Sequence, residues 1–151
     1  MRSVVQRVTE ASVSVDGVVV GSIGPGLVAF VGVAPDDTPA DAAALAAKLA
    51  TLRVFPDAPA ATGRCVRDVA GSVLVVSQFT LLADVRKGRR PSFAAAAPPE
   101  VAEPLVGEVA RCLTDLGVPV ASGRFGASMV VEVVNDGPFT LVLEIVDGKV
   151  R

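Results

Sequence analysis

The fold class is decided by the segment Gly71–Leu82, which reads GSVLVVSQFTLL. Its centre is the unbroken apolar run Val73–Val76, which lacks the polar alternation of a strand with one solvated face. Such a run is typical of a strand that is buried on both faces of a sheet. Directly after it come Ser77, Gln78 and Thr80, whose polar groups cost free energy to bury unless they are hydrogen-bonded. They are either an ordinary strand end that reaches water or groups that face a ligand, and the segment predicts a central strand in both cases.

Further strand patterns, rich in β-branched residues, lie on both sides of this segment. A two-residue hairpin is predicted at Asp16-Gly17, because glycine accepts the positive φ that the favoured turn requires. A surface loop is expected at Pro56–Gly63, which is rich in Pro, Ala and Gly. The other predicted strands are Ser3–Val8, Ala11–Val15, Val18–Ile23, Leu27–Val33, Met129–Val134 and Phe139–Val146.

Two helices are predicted from capping residues and helical spacing. Thr38 is a favourable N-cap, Pro39 suits the first helical position, and apolar residues follow at helical spacing over about four turns. The second helix is expected over Pro99–Leu116, because Gly117 directly beyond it is a stop signal. Pro104 is expected near the first turn of that helix, where a missing N–H donor matters least.

Length and composition bound the architecture. With 151 residues the chain has the length of one domain, and residues 1–151 are expected to form it. Hydrophobic residues are 51% and charged residues 20%, a balance that excludes disorder for the bulk of the chain. The chain offers only two connections long enough to cross over between parallel strands, which is too few for a fully parallel, doubly wound sheet. The prediction is an α/β domain with a curved, barrel-like mixed β-sheet and two covering helices.

The residue types that are missing narrow the chemistry. The chain has no His, Trp or Tyr, which excludes Ser-His-Asp and Cys-His nucleophile systems, histidine-ligated zinc and general-base catalysis by imidazole. Cys65 and Cys112 form no CxxC pair, and no carboxylate pair has a spacing suited to a metal. The apolar runs are too short to cross a membrane. We therefore expect a cytoplasmic protein with no membrane contact, no metal and no cofactor.

Positive charge is concentrated in one loop. Arg86, Lys87, Arg89 and Arg90 are four of the 14 basic residues, in a chain whose net charge is -2. The cluster is either a solvated loop that favours solubility or a contact for the phosphates of an RNA backbone. Since the rest of the chain is acidic, the prediction is a small, local phosphate contact and no broad coating of nucleic acid.

Two further segments are candidates for function. Asn135–Thr140 is either a plain turn between two strands or a tight turn with a cis Gly137–Pro138 peptide. Gly123–Met129, an aromatic loop flanked by glycine, is either a structural turn or the wall of a pocket. Neither matches a glycine-rich nucleotide-binding pattern, so a nucleotide cradle is not predicted.

The chain resembles the D-aminoacyl-tRNA deacylases. Ser77–Leu81 (SQFTL) together with Asn135–Thr140 (NDGPFT) is similar to the paired signature of that family. The chain departs from the family at two places, since Thr62–Cys65 stands where the family usually has Met-Asn-x-Ser, and Phe139 stands where it usually has Val. Other segments that resemble the family, in the same order, are Met1–Val8, Ile23–Leu27, Arg86–Phe93, Ala97–Glu100 and Gly123–Ala127.

This resemblance implies a homodimer, without a cofactor, that hydrolyses the ester between a D-amino acid or glycine and the terminal ribose of tRNA. Aminoacyl-tRNA is the implied partner, the active site lies at the subunit interface, and DNA is not expected as a partner. Ser77, Gln78, Phe79 and Thr80 would form the catalytic pocket for the amino acid and the terminal adenosine. No residue supplies an obvious base for Thr80, so we expect its hydroxyl to bind and orient rather than to attack.

The resemblance also implies how handedness is checked. The backbone of Gly137 and Pro138 would enter the neighbouring subunit's pocket and exclude an L side chain, and Arg7 would hold that turn in place. Met129 is assigned to the same substrate-binding group. The basic loop Arg86–Arg90 would contact tRNA phosphates. The competing interpretation is a dimeric domain that binds a small ligand or RNA without catalysis.

Overall fold

A computed structural model describes residues 1–151, apart from the side chain of Ala61. Over these residues the α-helices are α1 (Pro39–Thr51) and α2 (Pro99–Asp115), and a 3-10 turn spans Phe79–Leu82. The strands are β1 (Arg2–Val15), β2 (Val18–Ile23), β3 (Gly26–Gly32), β4 (Phe55–Asp57), β5 (Ala60–Arg64), β6 (Ser72–Ser77), β7 (Val120–Ser122), β8 (Val130–Val146) and β9 (Lys149–Val150).

The main sheet is mixed and strongly curved, as predicted. Its order is β7-β6-β3-β1-β8-β9, with β2 paired to β1. Strand β6 runs parallel to both β3 and β7, and the other pairs are antiparallel. A Cβ placed on Gly21 in β2 would lie 2.6 Å from the carbonyl oxygen of Ser122 in β7. The sheet therefore curls until β2 approaches β7, which gives a half-barrel within a single domain.

The predicted break in the first strand is wrong. Residues Arg2–Val15 form one continuous strand, and the register against β8 shifts between Gln6 and Val8 and again between Val8 and Glu10. This irregularity changes which face each side chain occupies, so Val5 packs under the helices while Val13 packs inside the curl. The backbone pairing continues through the shift, and only the alternation of apolar residues is interrupted.

The last two predicted strands are likewise one strand. Within β8, Asn135 pairs with Val8 and Thr140 pairs with Gln6. Between these two rungs β1 advances by two residues and β8 by five, so residues 136–139 protrude from the sheet. The predicted turn at this position is therefore a protrusion inside a long strand, and β1 is its continuous partner.

Two buried clusters hold the fold together. The larger lies between α1, α2 and the sheet and includes Leu45, Leu49, Val109 and Leu113, all with no exposed surface. The smaller fills the inside of the curl. Helix α1 begins as predicted, because the Asp41 carboxylate accepts hydrogen bonds from the Thr38 N–H at 2.8 Å and from its hydroxyl at 2.7 Å. The apolar run of β6 contributes to both clusters, which explains why it lacks alternation.

The strand predicted at the apolar run Val73–Val76 is present as Ser72–Ser77, and a 3-10 turn follows it. Two local predictions need correction. The loop expected at Pro56–Gly63 is part of the β4–β5 hairpin. Pro104 is the sixth residue of α2, in its second turn, where it removes one hydrogen bond of the helix. The helix tolerates this because Pro104 lies on its exposed side. Among the described residues no helix is long and apolar enough to span a membrane.

Candidate functional site

The 3-10 turn after β6 presents the SQFT residues at the edge of the sheet. The Gln78 N–H donates to the Val31 carbonyl at 2.8 Å, which is the last rung between β6 and β3. The chain then bends, so that Phe79 is 55% exposed and Thr80 is also exposed. The side-chain amide of Gln78 donates a hydrogen bond to the Thr80 hydroxyl oxygen. Gln78 and Thr80 are therefore held together at the start of the turn.

A cavity of about 530 Å³ opens beside this turn. Its size suits a small molecule or the end of a larger one, and its wall is mostly apolar with a few polar groups. It lies where the two buried clusters meet, because its lining draws on members of both. The lining residues are Val31, Val33, Val76, Ser77, Gln78, Phe79, Phe93, Ala96, Ala97, Pro99, Ala102, Val106, Phe125, Gly126, Ala127, Met129 and Val131.

An aromatic pair stands at the rim of the cavity. The rings of Phe79 and Phe93 are 4.9 Å apart between centroids, with an interplanar angle of 71°, which is an edge-to-face contact. Both rings are exposed. Exposed aromatic faces of this kind are suited to stacking against a nucleobase.

The basic loop lies next to this aromatic rim. Asp84 and Ser92 exchange two backbone hydrogen bonds of 2.8 and 2.9 Å, which close the loop one residue before Phe93. Arg86 pairs with the Asp84 carboxylate at 2.7 Å, and this hydrogen bond lowers the pKa of Asp84. The other three basic residues of the loop, Lys87, Arg89 and Arg90, are exposed. The loop therefore carries its positive charge close to the mouth of the cavity.

The protruding turn of β8 is organised by Arg7. The Gly137–Pro138 peptide is cis, and Gly137 has a φ of +128°, which an L side chain rarely adopts. Arg7 is only 8% exposed and donates to the carbonyls of Val54 at 2.5 Å and Asp136 at 3.2 Å. Its guanidinium also lies 3.0 Å from the Asp136 carboxylate and 5.1 Å from the centre of the Phe139 ring. The turn is therefore fixed by one buried cation.

The structure places the predicted site residues in two groups. Ser77, Gln78, Phe79 and Met129 line the cavity, and Thr80 is bonded to Gln78 beside it. Arg7, Gly137 and Pro138 form the second group. In the register of β1 and β3, Arg7 pairs with Leu27, four residues before the cavity residue Val31, a distance of about 13 Å along the strand. Within one chain the protruding turn does not line the cavity, and Met129 belongs with the first group.

Some cavity residues were not predicted from the sequence. Phe125, Gly126 and Ala127 belong to the glycine-flanked loop, for which the sequence left a structural turn and a pocket wall open, and the structure places them in the cavity wall. Ala102 and Val106 of α2 were missed, because apolar residues on one side of a helix look like ordinary core residues. Phe93 was also missed, because its contact with Phe79 joins residues that no local sequence pattern connects.

The sequence matches one protein family over most of its length. The family model of the D-Tyr-tRNA(Tyr) deacylases matches residues 4–144. The D-aminoacyl-tRNA deacylase of Roseiflexus castenholzii is 56% identical over 144 residues, which cover 95% of this chain and 92% of that protein.

Solved structures have the same fold. The structure titled c-Myc DNA Unwinding Element Binding Protein has a TM-score of 0.88 and 39% identity, covering 95% of this chain and 98% of that one. A probable eukaryotic D-amino acid tRNA deacylase has a TM-score of 0.80 and 19% identity over 93% of this chain and 97% of its own, which supports the fold alone. From the family match and the curated relative, the chain belongs to the D-Tyr-tRNA(Tyr) deacylase family, a family of hydrolases.

Proposed function

We propose that the protein hydrolyses the ester bond of D-aminoacyl-tRNA, and of glycyl-tRNA, to the free amino acid and tRNA. The observation that carries this proposal is the cavity lined by Ser77, Gln78 and Phe79 in a chain of this family. The cavity can hold an amino acid together with part of a nucleoside. Phe79 and Phe93 offer aromatic surface for the terminal adenine.

Catalysis in this cavity proceeds without imidazole, because the chain contains no histidine. The Thr80 hydroxyl oxygen accepts a hydrogen bond from the Gln78 amide, which orients the hydroxyl but does not remove its proton. The N–H groups of Phe79 and Thr80 open the 3-10 turn, and the first N–H groups of a helical turn have no acceptor within it. They are suited to stabilise the oxyanion that forms when water attacks the ester. Thr80 is therefore a binding group in this mechanism, and water is the nucleophile.

Discrimination between D- and L-amino acids is assigned to the protruding turn of a second copy of this chain. Gly137 and Pro138 are exposed, while Arg7 holds the turn from within. Main-chain atoms held in this way can exclude an L side chain sterically, because reversing Cα exchanges the side chain and the hydrogen. A homodimer would bring this turn to the cavity of the other copy, because within one chain neither Gly137 nor Pro138 lines the cavity.

The basic loop is proposed to bind tRNA phosphates beside the cavity. Arg86 is partly neutralised by Asp84, so Lys87, Arg89 and Arg90 carry most of the uncompensated charge. Neutralising both Arg89 and Arg90 should make the slope of log affinity against log salt concentration shallower. The expected change corresponds to the loss of about one to two phosphate contacts. An unchanged slope would show that the basic loop does not contact tRNA phosphates. The exposed Arg67 and Lys149, neutralised together, are the matched control for charge alone.

The proposed activity is tested with D-tyrosyl-tRNA, glycyl-tRNA and L-tyrosyl-tRNA, by the release of free amino acid. The first two substrates should be hydrolysed and the third left intact, and light scattering should give the mass of a dimer. If none of the three esters is hydrolysed although the protein binds tRNA tightly, the result would favour a binding domain without catalysis. A cytoplasmic location also stays a prediction.

A further inference from the structure

The 3-10 turn that carries Phe79 and Thr80 packs on β3 at its end, where Leu82 lies against Gly32, but its first two residues are exposed. None of its residues is buried, and only Leu81 and Leu82 are half-buried. Two of its hydrogen bonds are local, from the Leu81 N–H to Gln78 and from the Ala83 N–H to Thr80. A segment held mainly in this way frays easily, because exposed backbone hydrogen bonds open at low free-energy cost. A site on this turn therefore needs an anchor from elsewhere in the fold.

Arg2 supplies a contact of this kind. It lies near the start of β1, directly opposite Glu144 on one side and Gly32 on the other. Its Nε and Nη2 donate to one oxygen of the Glu144 carboxylate, at 2.9 and 2.5 Å. Its Nη1 donates to the Leu81 carbonyl at 2.9 Å. One planar guanidinium thus joins β8 to the 3-10 turn.

Gly32 makes this approach possible. A Cβ placed on Gly32 would lie 2.4 Å from the Leu82 side chain and 2.9 Å from the Gln78 carbonyl oxygen. The turn therefore rests directly on the backbone of β3. Arg2 and Gly32 are cross-strand neighbours on the same face of the sheet, so the arginine reaches the turn over a position that has no side chain.

The Arg2–Glu144 pair is poorly suited to stabilise the whole domain. The side chains are 42% and 48% exposed, and exposed ion pairs contribute little to global stability. Arginine nevertheless provides what this position requires, since its fork binds a carboxylate and a carbonyl in fixed directions. A lysine cannot make the same three hydrogen bonds in one plane.

We infer that Arg2, oriented by Glu144, is a positioning residue that fixes the 3-10 turn and with it the N–H groups of Phe79 and Thr80. This inference rests on the proposed function. Loss of the clamp leaves the cavity in place but lets the oxyanion donors move, and a misplacement of about 1 Å can cost up to about 100-fold in rate. The effect therefore falls on the chemical step more than on substrate binding.

Three variants test the clamp: Arg2→Met, Arg2→Lys and Glu144→Gln. We expect Arg2→Met to lower kcat for D-tyrosyl-tRNA about 10-fold or more while KM changes less than about 3-fold. Arg2→Lys should not restore kcat, and Glu144→Gln should lie between wild type and Arg2→Met. The matched control is Arg111→Met, which removes an exposed arginine that bonds to Glu108 and Asp115 on α2.

A measurement on the free protein separates this inference from the proposed function. The chain has six Phe, so labelled Phe rings should give a resolved NMR spectrum in which the 4.9 Å contact of Phe79 and Phe93 produces a strong cross-peak. Arg2→Met should weaken that cross-peak, and Arg111→Met should not. The inference would be overturned if the cross-peak in Arg2→Met had the same intensity as in the wild type. It would also be overturned if the cross-peak weakened while kcat stayed unchanged. If the wild type hydrolyses no D-aminoacyl-tRNA, the proposed function fails, while the cross-peak still decides whether Arg2 holds the turn.

Discussion

Replacing Arg7 with methionine should destabilise the protein more than any exposed charge substitution. The change keeps the length and apolar part of the side chain but removes a guanidinium that is 8% exposed. The carbonyls of Val54 and Asp136 each lose a charged donor. The Val54 carbonyl belongs to a buried residue, so water cannot easily replace the missing donor.

The size of the effect follows from these contacts. A hydrogen bond from a charged group contributes about 1.5–3 kcal/mol, and two are lost. The Asp136 carboxylate is 45% exposed, so its ion pair is screened and adds at most about 1 kcal/mol. The contact with the Phe139 ring adds about 0.5–1 kcal/mol. Release of the guanidinium to water in the unfolded state offsets part of this sum. We expect a net loss of about 2–4 kcal/mol for Arg7→Met and a smaller loss for Arg7→Lys.

Urea unfolding followed by far-UV circular dichroism measures this loss, since a chain without Trp or Tyr gives no useful fluorescence signal. Arg151→Met is the control, because Arg151 faces Asp147 at 3.9 Å with both side chains exposed. That control should change the free energy of unfolding by less than about 0.5 kcal/mol. If Arg7→Met is also within about 0.5 kcal/mol of wild type at an unchanged m-value, the reasoning about the buried cation is wrong.

Three further substitutions test the fold by the same denaturation assay. Gly26→Ala places a Cβ 1.9 Å from a carbonyl oxygen of β6 and should cost several kcal/mol or prevent folding, whereas the open Gly24→Ala is its tolerated control, and equal stabilities would contradict the close approach. Gly107→Ala, in α2 with open space around it, should raise the free energy of unfolding by about 0.5–1 kcal/mol, and a loss would show a contact that the structure lacks. Burial raises the pKa of Asp41, but hydrogen bonds from Gly148 and Thr38 outweigh it, so the pKa lies below its usual range. The ionised Asp41 carboxylate therefore stabilises the folded state at neutral pH, and this stabilisation is lost as the pH falls through the lowered pKa. Asp41→Asn should lower the free energy of unfolding by about 1–2 kcal/mol at pH 7 but by little in acid. A constant difference between the two proteins from pH 7 to pH 2 would contradict this.

Features encoded by neighbouring residues were predictable from the sequence. The Thr38–Asp41 cap and the Asp16-Gly17 turn are local, and in the structure both turn residues have positive φ, 52° and 78°. The buried strand was predictable because its side chains enter both clusters, and the sequence there is therefore apolar without alternation. The continuity of β1 was not predictable, because it depends on pairing with β8, more than 100 residues away.

The candidate site was predictable only in part. The polar residues Ser77 and Gln78 stood out against an apolar strand, and they do line the cavity, while Thr80 lies beside it. The bend that exposes Phe79 was missed, because it depends on Gly32 of a neighbouring strand rather than on the residues of the turn. The separation of Arg7 from the cavity within one chain also follows from strand register, which sequence patterns do not reveal.

Strand β1 carries both Arg2 and Arg7, five residues apart, so about 17 Å of extended backbone sets the spacing between the 3-10 turn and the protruding turn. An odd separation also sends their side chains to opposite faces of the sheet. Deleting one residue between them would bring both arginines to the same side and leave one of the two turns unsupported. The length of this strand is therefore constrained by two arginines that never touch each other.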